Sequence, residues 1–144
     1  MIWVVMDITD MSEFDTDSFD LVIDKGTIDS LICGEDYLLT VAKMLKETQR
    51  VLKSGGHYFA ISYGEPESRA CHLVRSFLSW ERKEIILDDS SVDKEGKDKK
   101  SHYIYVCKKN HDANEMSEKN FASEYSNLEI ENEKEKLLEM EILA

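Results

Sequence analysis

"FDLVIDKGTIDSL", from Phe19 to Leu31, changes character in its middle. Phe19, Leu21, Val22 and Ile23 are large and apolar, the composition of a buried strand. Asp24, Lys25, Gly26 and Thr27 follow with no spacer, so an acid, a base, a glycine and a hydroxyl stand where the strand leaves the core. In open α/β sheets the ligand cleft lies beyond the carboxyl ends of the strands, where loops and helix starts present unpaired backbone donors. A polar cluster at a strand mouth suits a cleft of that kind. The alternative for Asp24, and for Asp7 at the end of "VVMD", is a carboxylate that only caps the following turn.

The flanking segments complete an α/β pattern. Met1 to Met6 (MIWVVM) reads as a short buried strand, and the Asp- and Ser-rich "DITDMSEFDTDS" as a loop. From Tyr37 to Leu52 the residues Leu38, Val41, Met44, Leu45, Val51 and Leu52 fall on one helical face. "KSGG" (Lys53 to Gly56) puts glycine where a helix ends. His57 to Tyr63 (HYFAISY) is a third strand, "GEPESR" a loop with the single proline, Pro66, and His72 to Trp80 a weak short helix. "RKEIILDD" and "SHYIYVCKK" are two more strands, joined by a polar hairpin loop "SSVDKEGKDKK". Strand, helix and strand, followed by two directly joined strands, predict an α/β sheet with an antiparallel end.

Composition narrows the function classes. The 144 residues suffice for one domain with a core, and 42% hydrophobic with 33% charged residues is ordinary for a globular chain. No apolar run approaches the ~20 residues of a membrane span. Cys33, Cys71 and Cys107 are widely spaced, with no CxxC and no Cys/His metal spacing, so free thiols in the cytoplasm are expected and no metal site. A net charge of −12 argues against nucleic acid as the primary partner. The charge is uneven. Asn110 to Ala144 holds ten acids and three bases, net −7, against −5 for the preceding 109 residues. Residues 1–109 therefore read as the domain and 110–144 as an acidic tail, disordered or helical.

"MDITDM", "FDLVIDKGTIDSL", "MLKETQRVLKSGGHYFAISYGEPESR" and "HYIYVCKK", in this order, resemble one group of class I S-adenosylmethionine-dependent methyltransferases. It is the group of methyltransferase-like protein 13 and the methyltransferase linked to endothelin-converting enzyme, whose characterised members methylate protein lysines. The resemblance covers Met1 to Lys109 and implies a doubly wound Rossmann-like sheet of strand order 3-2-1-4-5-7-6. On that map this chain is the carboxyl-terminal portion, strands three to seven, with an antiparallel last strand. MIWVVM resembles strand three, FDLVI strand four and HYFAISY strand five. The implied cofactor is S-adenosylmethionine, with Asp7 accepting from the adenine amino group, the Ile8 N–H meeting the ring, and Lys25 in the cleft. The implied partner is a protein with an accessible lysine. Asp24, Thr27, Asp29 and Tyr63 are candidates to take up the amine's proton, and nothing selects among them, so the catalytic residue is unassigned. An acidic rim of Asp24, Asp29, Glu35 and Asp36 is expected to attract a basic segment.

The sequence departs from the family at its start. The family's glycine-rich cofactor loop follows strand one, and its ribose-binding acid ends strand two; both precede strand three. None of the six glycines here forms a GxGxxG. The expectation is a truncated enzyme that binds cofactor poorly by itself. The alternative is a non-catalytic interaction module built on half of the fold.

Overall fold

The computed structural model describes residues 1–87 and 102–143. Strand β1 (Phe19–Lys25) leads through Gly26, at φ +78°, into helix α1 (Thr27–Ile32). Helix α2 (Tyr37–Val51) follows, then strand β2 (Leu52–Ser62) and helix α3 (Pro66–Leu73). Strands β3 (Trp80–Leu87) and β4 (His102–Lys109) and the long helix α4 (Ala113–Leu143) complete the chain. The sheet order is β1-β2-β4-β3, with β1 and β2 parallel and the other two pairings antiparallel. This is a mixed α/β fold with an antiparallel end, and no described helix is long and apolar enough to cross a membrane. The hairpin loop "SSVDKEGKDKK" lies outside the described residues.

One face of the sheet makes the core. Alternation along the strands turns Val22, Tyr58, Ala60, Tyr105 and Cys107 to the same side, where they meet Ile28 of α1, Val41, Met44 and Leu45 of α2, and Leu73 of α3. α4 forms an outer layer and runs antiparallel to α2. Ala113 O accepts from Gln49 near one end of the pair, and Lys136 bonds Asp36 near the other. Leu128 fills the gap among Leu38, Ala42 and Phe77. At the opposite end of β1, Arg50 donates to the carbonyls of Phe14 and Met11, and buried Lys109 pairs with Asp17 at 2.7 Å, so the loop before β1 is tied down.

Four segments differ from their sequence reading. Residues 1–6 form no strand, and Met1, Ile2, Trp3 and Val5 are almost fully exposed. An apolar run becomes a strand only where a neighbour supplies ladder partners; the four strands pair with one another, and none borders this segment. "KSGG" is not a helix cap but a bulge within β2: Phe19 pairs with Leu52 and Leu21 with His57, so a step of two residues on β1 spans five on β2. Gly55 takes φ +78°, and a Cβ on Gly56 would stand 2.8 Å from the Lys53 carbonyl. "GEPESR" starts α3, with Pro66 in the first turn where its missing N–H costs nothing, and the weak helix at His72 to Trp80 is instead the end of α3, a turn and the start of β3.

The tail, for which disorder and helix were both open, is the helix α4. Its buried stripe consists of Ala113, Ser117, Leu128 and Asn132, with Phe121 half-buried. Ser and Asn within that stripe hide the helical period from any apolar count.

Leu128→Ala should destabilise the protein by about 2–4 kcal/mol in urea unfolding, because it empties a closed packing site. Ile130→Ala, two residues on and half exposed, should change stability by less than about 0.5 kcal/mol.

Candidate functional site

The carboxyl ends of β1 and β2 gather most of the polar residues singled out in the sequence. Asp24 is buried, and its carboxylate points back into the fold. Oδ1 accepts from the Thr27 N–H at 2.7 Å, and Oδ2 accepts from the Ile28 N–H at 3.1 Å and the Tyr58 hydroxyl at 2.9 Å. It thus supplies the cap that Gly26, lacking a side chain, cannot give α1. The acid at the strand mouth is a structural bracket.

Asp29, on α1, holds a second network. Its carboxylate accepts from the Ser62 hydroxyl, from the Tyr63 N–H at 3.1 Å and from the Arg69 guanidinium at 2.7 Å. Arg69 is itself buried and also donates to Ser62 Oγ at 3.0 Å. Gly64 lies beneath the guanidinium, where a Cβ would stand 2.1 Å from Arg69 Cζ. The Gly64 carbonyl accepts from the Tyr105 hydroxyl at 2.6 Å. Together these bonds join α1, β2, α3 and β4 at one corner. Arg69 and Ser62 were not foreseen from sequence, because Arg69 lies forty positions from Asp29. Burial raises the Asp29 pKa, but the hydrogen bonds from Ser62, Arg69 and Tyr63 outweigh it and hold the carboxyl below its ordinary value.

Asp7, Ile8 and Lys25 do not share a contact. Asp7 Oδ1 accepts from the Thr9 N–H at 2.8 Å and the Thr9 hydroxyl at 2.7 Å, an exposed turn on the α2 side that lies within the field of Lys43. Ile8 packs against the main core. Lys25 is exposed and, by strand alternation, stands on the face of the sheet away from the helices. No hydrogen bond or ion pair joins Asp7 to Lys25 among the described residues. No cluster of His, Cys, Asp or Glu among them is arranged to hold a metal ion.

Residues 1–60 match the family model described as a methyltransferase domain. Mouse EEF1A lysine methyltransferase 4 is 31% identical over 86 residues, which make up 54% of this chain and 33% of that protein. Human eEF1A lysine and N-terminal methyltransferase is 43% identical over 67 residues, 45% of this chain and 9% of that protein. The matched stretch is thus a third or less of these relatives' length. Among solved structures, a Thermus thermophilus protein described as a candidate DNA modification methylase superposes at a TM-score of 0.54 with 19% identity, covering 72% of this chain and 50% of that one. The last likeness concerns the fold alone. Over the matched residues the chain is similar to class I S-adenosylmethionine-dependent methyltransferases, among them those named for eEF1A lysine methylation.

A group that takes up a proton must be free and suitably basic. Asp24 is enclosed by its three donors, and Asp29 is held ionised by Arg69. The expected acidic rim is corrected likewise. Asp24 faces inward, Asp29 is paired with Arg69 and Asp36 with Lys136, which leaves Glu35 as its exposed acid without an ion pair among the described residues. The Thr27 hydroxyl and the exposed Tyr63 phenol are the candidates with no side-chain bond among those residues.

The Asp29–Arg69 pair has a pH signature. A carboxyl whose folded pKa lies below its unfolded value stabilises the fold fully above the unfolded value, ~3.9, and loses that contribution as pH falls through the lower folded value. Asp29→Asn should therefore lower the melting temperature at neutral pH, with the deficit shrinking below about pH 4. Thermal unfolding followed by circular dichroism across pH measures it; a deficit independent of pH would show that ionisation of Asp29 plays no part.

Proposed function

We propose that this chain takes part in S-adenosylmethionine-dependent methylation of a protein lysine in the cytoplasm. The observation that carries the proposal is the 43% identity over 67 residues with human eEF1A lysine and N-terminal methyltransferase. The sheet supports it. Its order β1-β2-β4-β3, parallel at first and antiparallel at the end, coincides with the 4-5-7-6 portion of the strand order that the resemblance implies.

On this proposal Asp7 and Ile8 meet the adenine edge of the cofactor. The chemistry fits: Asp7 Oδ2 and the Ile8 N–H have no partner among the described residues, so an acceptor and a donor stand on adjacent positions, the pattern an aminopyrimidine edge requires. Lys25 lies at the carboxyl end of β1 on the other face of the sheet from the Asp7 turn, so it would reach the same molecule only around the end of the strand. The cofactor's amino-acid end has no comparable cradle among the described residues. Gly26 serves the turn into α1, Gly55 the bulge in β2, Gly56 approaches the Lys53 carbonyl and Gly64 lies under Arg69. Bound, S-adenosylmethionine supplies an electrophilic methyl group that a neutral amine can attack. An amine of pKa ~10.4 must first shed its proton, which on this proposal leaves to solvent, while the Thr27 hydroxyl and the Tyr63 phenol can only orient the neutral amine by hydrogen bonds.

Weak binding is expected, confined to one end of the cofactor. Titration of S-adenosylmethionine into isotope-labelled protein should shift the amide resonances of Asp7, Ile8 and Lys25, and Asp7→Ala should weaken binding by ~1–3 kcal/mol. With labelled cofactor and eEF1A as acceptor, little turnover is expected of this chain by itself, and what label enters should be in protein and should vanish on Lys→Arg replacement at the acceptor site. Label entering DNA instead would overturn the lysine assignment. No resonance shift at all would overturn the cofactor assignment and favour a non-catalytic module.

A further inference from the structure

A cavity of about 100 Å³ lies at the carboxyl end of α2, where α4 begins alongside it. Its walls are Thr16, Lys46, Arg50, Asn114, Ser117 and Glu118. Thr16 precedes β1, so the cavity is at the end of the sheet away from the Asp24 and Asp29 corners. The loop before β1, α2 and the acidic tail all contribute to it, and none of its residues belongs to the cofactor assignment.

The cavity holds an unmade hydrogen bond. Ser117 is 5% exposed, and its hydroxyl has no partner among the described residues. A serine inside a helix can donate to the carbonyl four residues back. Here that carbonyl is Ala113's, which accepts from the Gln49 side chain at 3.2 Å instead. A buried hydroxyl without a partner is costly, so the site favours an occupant that accepts from it. The other walls decide the charge of that occupant. Lys46 Nζ lies 4.5 Å over the Phe121 ring and has no ion pair among the described residues. Arg50 is committed, because Glu47, Met11, Phe14 and Thr16 take up its hydrogens. Thr16 accepts one of these at 3.3 Å, which leaves its own hydroxyl hydrogen free to donate. The Asn114 amide is turned to Asp17, at 3.3 Å. An ammonium and two hydroxyls are thus the free donors, in the opening turns of a long helix, where the backbone carries partial positive charge. The exposed Glu118 is the single acid in the lining.

We infer that this cavity binds a small oxyanion of the phosphate class, with Lys46 pairing its charge and the Ser117 and Thr16 hydroxyls donating to its oxygens. The space admits one tetrahedral group, either free phosphate or the phosphate of an ester whose remainder stays outside. Bound there, the anion joins the loop before β1 to α2 and α4, and so fastens the acidic tail to the domain. The inference does not rest on the proposed methyl transfer.

Inorganic phosphate is the probe. Titrated into the isotope-labelled 144-residue protein at constant ionic strength, it should shift the amide resonances of Thr16, Lys46 and Ser117, and chloride should not. The melting temperature should rise with phosphate, because the folded state alone holds the site. Lys46→Met should weaken binding by ~10-fold or more, the loss of a charge-assisted bond. Glu118→Gln should strengthen it by removing the opposing charge. Ser117→Ala should remove most of the rise with phosphate yet leave the phosphate-free protein as stable as before, since that hydroxyl has no bond to lose. O-phosphoserine separates the two sources: matching shifts assign the site to phosphate esters as well, and shifts with inorganic phosphate alone assign it to the free ion. Absence of shifts at these residues with either probe would leave water as the occupant and overturn the inference. Weaker phosphate binding by Glu118→Gln, or a clear loss of stability in phosphate-free Ser117→Ala, would overturn it as well.

Discussion

The Asp24 carboxylate ties together the parts on which the domain is built. It is an ion removed from water, which is tolerable only when its oxygens are fully engaged, and three donors from two elements engage them. Two of those donors belong to the first turn of α1, which has six residues and no capping side chain of its own. The third is Tyr58, buried on β2 and stacked near Trp80 of β3. Burial first, and then the carboxylate, push the Tyr58 phenol far above its ordinary pKa, so the tyrosine remains a donor. A single side chain therefore sets where β1 ends, how α1 begins and how β2 lies beside them.

A second corner obeys different physics. At Asp29 the acid meets a guanidinium, and the pair is neutral as a unit. Arg69 is buried because Ser62, Ser68 and Asp29 all receive its hydrogens. The space that it occupies exists because residue 64 is glycine. The two corners explain why a cluster of acids near the strand ends produces little free negative surface. One acid is engaged by backbone donors, one by an arginine and a third, Asp36, by Lys136. Charge counted along a sequence is not charge offered to a partner.

Among the described residues the helices cover one face of the sheet. Parallel strands are ordinarily buried on both faces. Here β1 and β2 are parallel, yet Leu21 and Ile23 remain open to solvent on one side. The long acidic helix does not redress this, since it lies outside α2.

The sequence alone determined what depends on local pattern. The helical face from Leu38 to Val51, the strands around Val22, Tyr58 and Val106, the antiparallel end and the resemblance to the methyltransferase group were all legible, because apolar periodicity and motif order are properties of short stretches. Tertiary structure decided what depends on partners. Met1 to Met6 has the composition of a strand but no neighbour with which to form a ladder. Gly55 and Gly56 follow a helix but serve a bulge set by pairing with β1. The long helix buries Ser117 and Asn132, which no hydrophobic period would place inward. Asp29 looked like a free acid until Arg69, far along the chain, came to its side. A residue's type fixes which bonds it can make; only the fold determines which donors and acceptors come within about 3 Å of it.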